Sequence, residues 1–174
     1  KTAYEIRNCD WSSDVCSSDL TVQQRADEIG ATIDWSPPAG MPRLLFDPEA
    51  LSRAILNVVT NALDAVEEKS GAAVSIRVAC DTEADRVRIT VSDNGAGMTA
   101  ETLATIFNLF VSTKGARGTG LGLTVSRKIL REHGGDIHVT SQPGEGSTFV
   151  LEFPLRTADG HETAPTLDGH DVSA

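Results

Sequence analysis

Positive charge is in short supply in this chain: 15 Lys and Arg stand against 25 Asp and Glu, for a formal net charge of −10 at pH 7. That balance argues against nucleic acid as the main partner, since phosphate backbones are bound by basic faces. Cysteine is scarce too. Cys9, Cys16 and Cys80 are the only three; their spacing fits no zinc site, and an odd count suggests a reducing compartment, the cytoplasm. No apolar run approaches the length of a membrane span and no signal peptide is visible, although membrane anchoring of a longer parent protein is a separate question. Three nucleotide signatures are also missing: the G-x-x-x-x-G-K-[ST] loop, the dinucleotide G-x-G-x-x-G after a strand, and the catalytic loop of serine/threonine kinases.

What is present is enough for one domain with a proper core: 174 residues, 40% of them apolar. The first twenty residues stand apart. Lys1 to Leu20 repeats Ser-Ser-Asp, has no helical or strand period, and joins abruptly to a well-patterned chain. It resembles a translated sequencing adapter: Asp10 to Leu20 follows a reading frame of a common short-read primer, Lys1 to Ile6 the flanking adapter, and Arg7 to Cys9 the variable index. It is therefore set outside the fold, and the natural chain is expected to begin upstream of Thr21.

From Thr21 to Gly30 the pattern is a helix end closed by glycine. Ala31 to Trp35 alternates as a strand, Ser36 to Pro42 is a loop, and Leu44 to Phe46 a short strand. Asp47-Pro48 is a strong helix start; that helix runs to about Glu68, with Leu51, Ile55, Val58, Ala62 and Val66 as its apolar stripe. Strands are expected over Ala73–Ala79 and Arg86–Ser92, with a polar turn from Cys80 to Asp85 and Cys80 as a small buried residue. Thr99 to Phe107 is a short helix, Asn108 to Gly118 a loop, and Thr119 to His133 a helix. Ile137–Ser141 and Ser147–Pro154 form a hairpin. The segment from Arg156 to Ala174 has no period and is expected to be a disordered acidic tail. The domain thus spans residues 21–155 and is α/β, without the regular βαβ alternation of a doubly wound fold.

Several short patterns carry chemistry. Asn57 and Asn61 lie four apart on one helix face. An amide oxygen is a hard, neutral ligand suited to Mg²⁺; equally, such a pair can be ordinary hydrogen-bonding amides. Asp93 precedes Gly95 and Gly97, where absent side chains let backbone approach a flat ring. A carboxylate accepts from an exocyclic amine and repels a carbonyl, so Asp93 would select adenine over guanine, with Met98 as an apolar wall. The plainer reading is an Asp-Asn-Gly turn. Gly118-Thr119-Gly120-Leu121-Gly122 opens a helix whose free N–H groups and dipole suit phosphate, or else is a linker. Phe107 and Phe110 flank a lid-like loop in which Lys114 can reach phosphate. Arg117, Arg127, Lys128 and Arg131 add local positive charge. Gly144-Glu-Gly146-Ser-Thr148 reads mostly as a hairpin turn.

Taken in order, these residues resemble the catalytic ATP-binding domain of sensor histidine kinases, in the GHKL (Bergerat-fold) ATPase superfamily. The match covers about Thr21 to Leu155. Asn57-x-x-x-Asn61-Ala62 is similar to the N box, Asp93-x-Gly95-x-Gly97 to the first glycine box, and Phe107-x-x-Phe110 to the F box. Gly118–Leu123 and Gly144–Phe149 are similar to the second and third glycine boxes. The resemblance implies a two-layer α/β sandwich, a mixed sheet with helices on one face. It implies ATP and Mg²⁺ as cofactors, Asn61 as the metal ligand and Asp93 as the adenine reader. Phosphate contacts would come from Gly118, Thr119, Gly120, Leu121 and Gly122 of the lid, with Thr148 added to the nucleotide set.

Asn57 stands where hydrolytic members of the superfamily place a glutamate to activate water. An amide takes no proton at neutral pH, so the site is expected to present the γ-phosphate to another nucleophile, with catalysis by positioning and charge neutralisation from Asn57 and Lys114. In histidine kinases that nucleophile is a histidine on a preceding dimerisation domain, with a response regulator downstream; this chain alone is expected to be monomeric. Two departures stand out: Asp64 occupies a position that is often basic, and no phosphoacceptor helix is present. His161-Glu-Thr-Ala-Pro165 is one residue short of an acceptor motif and lies in the tail. A regulatory ATP-binding module without transfer, and a serine-phosphorylating anti-sigma-type kinase, are the alternatives; the latter usually carries glutamate at the Asn57 position.

Overall fold

A computed structural model of the chain describes residues 22–36, 46–108 and 120–156. A helix over residues 22–29 (α1) leads into β1 (Thr32–Ser36). The long helix α2 (Pro48–Val66) is followed by β2 (Ala73–Asp81), β3 (Arg86–Asp93), the short α3 (Ala100–Thr105), α4 (Gly122–Glu132), β4 (Asp136–Gln142) and β5 (Gly146–Pro154). The five strands form one mixed sheet in the order β1-β2-β3-β5-β4; β1 and β2 are parallel, the other neighbours antiparallel.

Helix α2 starts where its sequence dictates. The Asp47 carboxylate accepts from Ala50 N at 3.1 Å, and Pro48 occupies the first turn, where its missing N–H is no loss. Leu51, Val58, Ala62 and Val66 of the expected stripe are buried, together with Ala54, Val59 and Leu63, while Ile55 packs against the core from a half-buried position. The sheet meets this face by strict alternation. Val87, Ile89 and Val91 of β3 are buried, and so are their cross-strand partners Phe153, Leu151 and Phe149 of β5. Truncating Leu151, fully buried, to alanine would cost about 2–5 kcal/mol. The other sheet face is polar: Arg88 reaches Glu152 at 2.9 Å and Arg77 reaches Asp34 at 2.6 Å.

Four local expectations change. Helix α4 starts at Gly122, not Thr119: Gly120 has φ +64°, a left-handed conformation through which no right-handed helix runs. Phe46 is not in a strand; it packs edge-on against Phe153, with ring centroids 5.9 Å apart. Ser36 is the last residue of β1 rather than the first of a loop. Strand β2 continues through Cys80 to Asp81, and Cys80 is half-buried. Residues 1–21, 37–45, 109–119 and 157–174 lie outside the described residues, and with them the expectations for Leu44 and Leu45, for the rest of the Ser36–Pro42 loop, for the lid and for the tail.

Candidate functional site

The buried stripe of β3 reads Val87, Ile89, Val91 and then Asp93. A carboxylate therefore occupies the place of a fourth apolar side chain, and only 8% of it is exposed. Its Oδ1 is saturated, accepting from Gly95 N at 2.8 Å and Ser147 N at 3.2 Å. Its Oδ2 is buried with no hydrogen-bond partner. Burial pushes the Asp93 carboxyl above its ordinary range, against hydrogen bonds from Gly95 and Ser147 and the charge of Lys69, which pull it down. A buried acceptor without a donor is costly and rare. It fits a ligand that brings an N–H, and the exocyclic amine of adenine is such a group.

The glycines after Asp93 serve a purpose that the sequence did not suggest. A side chain at Gly95 would collide with the Ala65 carbonyl of α2, and one at Gly97, whose φ is +65°, with the Gln142 carbonyl of β4. The turn is thus pressed between α2 and the β4–β5 hairpin, and Ala96 N donates to Ala65 O at 3.1 Å. Asn94 is structural: its Oδ1 accepts from Ala73 N and its Nδ2 donates to Gly71 O. Met98 is half-buried against the core, and its N–H donates to Ser141 Oγ at 2.9 Å.

Strand register separates two neighbours on β5. Ser147 lies opposite Asp93 and shares its buried face, in phase with Phe149, Leu151 and Phe153. Thr148 lies opposite Ser92, and the two hydroxyls meet at 2.9 Å. Alternation puts Thr148 on the sheet face away from Asp93. Ser147, not Thr148, is thus the hydroxyl residue brought to the carboxylate, and its phase with the apolar residues of β5 is a signal the sequence already carried.

On the other flank of α2, half-buried Asn57 faces the start of α4. Its Nδ2 donates to Gly122 O at 3.3 Å and to Ser126 Oγ at 3.1 Å. Asn61 sits one turn further along α2, half-buried. Gly122 lies beside Asn57, where an added side chain would make only ordinary contact, at 3.7 Å. Gly120 and Leu121 precede the helix; Lys114, Gly118, Thr119, Phe110 and Arg117 lie outside the described residues.

Three of the expected phosphate cations have partners of their own. Arg127 makes a two-pronged pair with Asp136 at 2.7 and 3.1 Å and lies over the Phe107 ring, 4.5 Å from its centroid. Arg131 joins the same carboxylate at 3.1 Å, and Lys128 pairs with Glu132 at 3.8 Å. Hydrogen bonding to Arg127 holds the Asp136 carboxyl well below its usual range. Asp64, the acidic residue in a position often basic, is met by Arg25 of α1 at 3.7 Å, and Arg25 also reaches Glu67 at 3.0 Å. Among the described residues no helix is long and apolar enough to cross a membrane.

Comparison with known proteins agrees with this geometry. Over 134 residues the chain is 41% identical to the sensor histidine kinase ZraS of Escherichia coli K12 and 37% identical to ZraS of Klebsiella oxytoca; in each case this is 77% of the chain and 28% of the relative. Sporulation kinase E of Bacillus subtilis is 36% identical over 116 residues, 67% of this chain and 15% of that protein. The chain therefore spans just over a quarter, or less, of these relatives. Among solved structures, full-length ShkA in complex with AMPPNP superposes with a TM-score of 0.71 at 30% identity, covering 86% of this chain and 31% of ShkA. The catalytic domain of histidine kinase ThkA, in a nucleotide-free form, gives 0.71 at 25% identity, covering 84% of this chain and 95% of that domain. Residues 46–157 match the family described as histidine kinase-, DNA gyrase B- and HSP90-like ATPase, and the chain belongs to that family as an ATP-binding catalytic domain homologous to those of sensor histidine kinases.

Proposed function

We propose that this domain binds Mg-ATP and donates the γ-phosphoryl group to a histidine on a separate helical dimerisation domain, as the catalytic part of a two-component sensor kinase whose phosphate passes on to a response regulator. The observation that carries the reading is the orphaned Asp93 Oδ2. It is an acceptor held in place by Gly95 and Ser147 and lacking only the donor that adenine supplies. Gly95, Gly97 and Met98 would frame the base, and Ser147 replaces Thr148 as the hydroxyl residue beside it.

Asn61 would hold Mg²⁺, which when bound neutralises charge on the phosphates. Gly120, Leu121 and Gly122 would face the phosphates with free backbone N–H groups, joined by Gly118, Thr119 and Lys114. Asn57 supports transfer over hydrolysis: an amide cannot take a proton from water at neutral pH. With Arg127, Arg131 and Lys128 committed to carboxylates, Lys114 and Arg117 remain as the side-chain cations for the triphosphate.

Calorimetric titration of the full chain with Mg-ATP is expected to show one site, abolished in Asp93→Ala. Adding a histidine-bearing helical acceptor domain of a related kinase with γ-labelled ATP should then place acid-labile label on the acceptor. Magnesium-dependent binding with no transfer to any acceptor tried would favour the regulatory module; no binding at all would overturn the nucleotide reading.

A further inference from the structure

Ser126 is fully buried, a hydroxyl between two helices. It lies on α4 one turn after Gly122, on the same face as buried Leu130. It accepts from Asn57 Nδ2 at 3.1 Å, and its own proton has the Gly122 carbonyl at 2.9 Å and the Ala54 carbonyl at 3.3 Å as acceptors. The Asn57 amide is fixed from the same direction. Its Nδ2 faces two acceptors on α4, Gly122 O at 3.3 Å and Ser126 Oγ at 3.1 Å, which lie 2.9 Å from each other and share one amide hydrogen. Among the described residues nothing donates to Asn57 Oδ1. The nitrogen end of the amide is turned to α4, and the oxygen end is left over.

We propose that Ser126 is a positioning residue for the nucleotide site: it locks the Asn57 amide with its N–H side against α4, so that the carbonyl oxygen is the atom Asn57 offers to a Mg-nucleotide. The proposal rests on the nucleotide reading above and adds a polarity to it. Asn57 presents its carbonyl oxygen to the site as an acceptor. The same node ties the Asn57–Asn61 face of α2 to the helix start after the glycine run. Without the hydroxyl, the amide keeps only the longer donor contact, to Gly122 O, and is held less firmly.

Two measurements on the full chain test this. The first needs no nucleotide: solvent exchange of the Asn57 side-chain amide protons by NMR, with the resonances assigned by their loss in Asn57→Ala. Ser126→Ala, and the size-matched Ser126→Cys with its weak donor and acceptor, are expected to speed that exchange about three- to tenfold, the worth of one hydrogen bond. Unchanged exchange in both variants overturns the lock, whatever the nucleotide does. The second is affinity for a magnesium-bound non-hydrolysable ATP analogue against affinity for adenosine. Ser126→Ala should weaken the former about three- to tenfold and leave the latter within about twofold, and in an Asn57→Ala background it should add nothing further. Equal weakening of both ligands, or additivity with Asn57→Ala, makes Ser126 a packing residue and overturns the proposal. A wild-type protein that has slow exchange but takes up no Mg-nucleotide overturns the nucleotide reading instead.

Discussion

Two aspartates at the ends of strands in one sheet show how the same side chain is put to opposite uses. Asp93 ends β3 inside the buried stripe, with one oxygen saturated by backbone and the other empty. Asp136 opens β4 at the surface, with both oxygens filled by Arg127, a further contact from Arg131 and Ile137 N on Oδ1. Burial raises the proton affinity of the first; arginine lowers that of the second. A filled carboxylate is architecture: through Arg127, Asp136 holds the Phe107 ring at the end of α3 against α4. A buried carboxylate with one oxygen left over is a socket. The contrast matters because each is a strand-end aspartate beside two glycines, Gly95 and Gly97 after Asp93 and Gly134 and Gly135 before Asp136.

The sharpest way to break the contrast is Asp93→Asn. The amide is isosteric and its oxygen can keep the bonds from Gly95 and Ser147, which places an N–H₂ group at the empty position. Two donors then face each other, and Mg-ATP affinity should fall about 10- to 100-fold by calorimetry, the value of a hydrogen bond to a charged group. The unliganded fold should be no less stable in urea. Asp136→Ala should do the reverse. It strips Arg127 of its partner and loosens the Phe107 contact, at a cost of about 1 kcal/mol in chemical denaturation for a partly exposed pair, while Mg-ATP affinity stays within about twofold. If Asp136→Ala lost nucleotide and Asp93→Asn kept it, the roles assigned to the two acids would be exchanged.

Much of this architecture can be read from the chain because it is local. The cap of α2, its apolar stripe, the β2–β3 pair and the β4–β5 hairpin follow from short-range pattern, and the order of the N box and glycine boxes points to the site. What the chain hides is long-range or conformational. The partners of Asn57 lie 65 and 69 residues away on α4. The commitment of Arg127 to Asp136 depends on a helix end and a strand start folding back on each other. The start of α4 turns on a single φ, that of Gly120. Gly95 and Gly97 look like openings for a ligand, yet the protein's own carbonyls fill the space. The exchange of Thr148 for Ser147 is a different case. Ser147 is in phase with Phe149, Leu151 and Phe153, so alternation alone distinguishes the two hydroxyls once the strand is placed.

The smallest expected effect is a pH dependence of opposite sign at the two aspartates. For Asp136 the folded pKa lies below the unfolded one, so the unfolded chain binds more protons in the acid range; its contribution to stability is present above the ordinary carboxylate value and is lost as pH falls below it. For Asp93 the folded pKa lies above the unfolded one, so the folded chain holds the extra proton. Its ionisation therefore costs stability as pH rises through the raised value, and the cost persists to neutrality. Urea midpoints measured across the acid range should show a shallower acid loss in Asp136→Asn than in wild type. In Asp93→Asn they should show a gain that appears above the ordinary carboxylate range and vanishes below it. Mg-ATP should reverse the second trend, because only the ionised carboxyl accepts from the adenine amine at Oδ2. Saturating nucleotide would then stabilise the wild type more as pH rises through the Asp93 pKa, after allowance for the ligand's own protonation, and a ligand effect without that slope would mean that the base does not rest on Asp93.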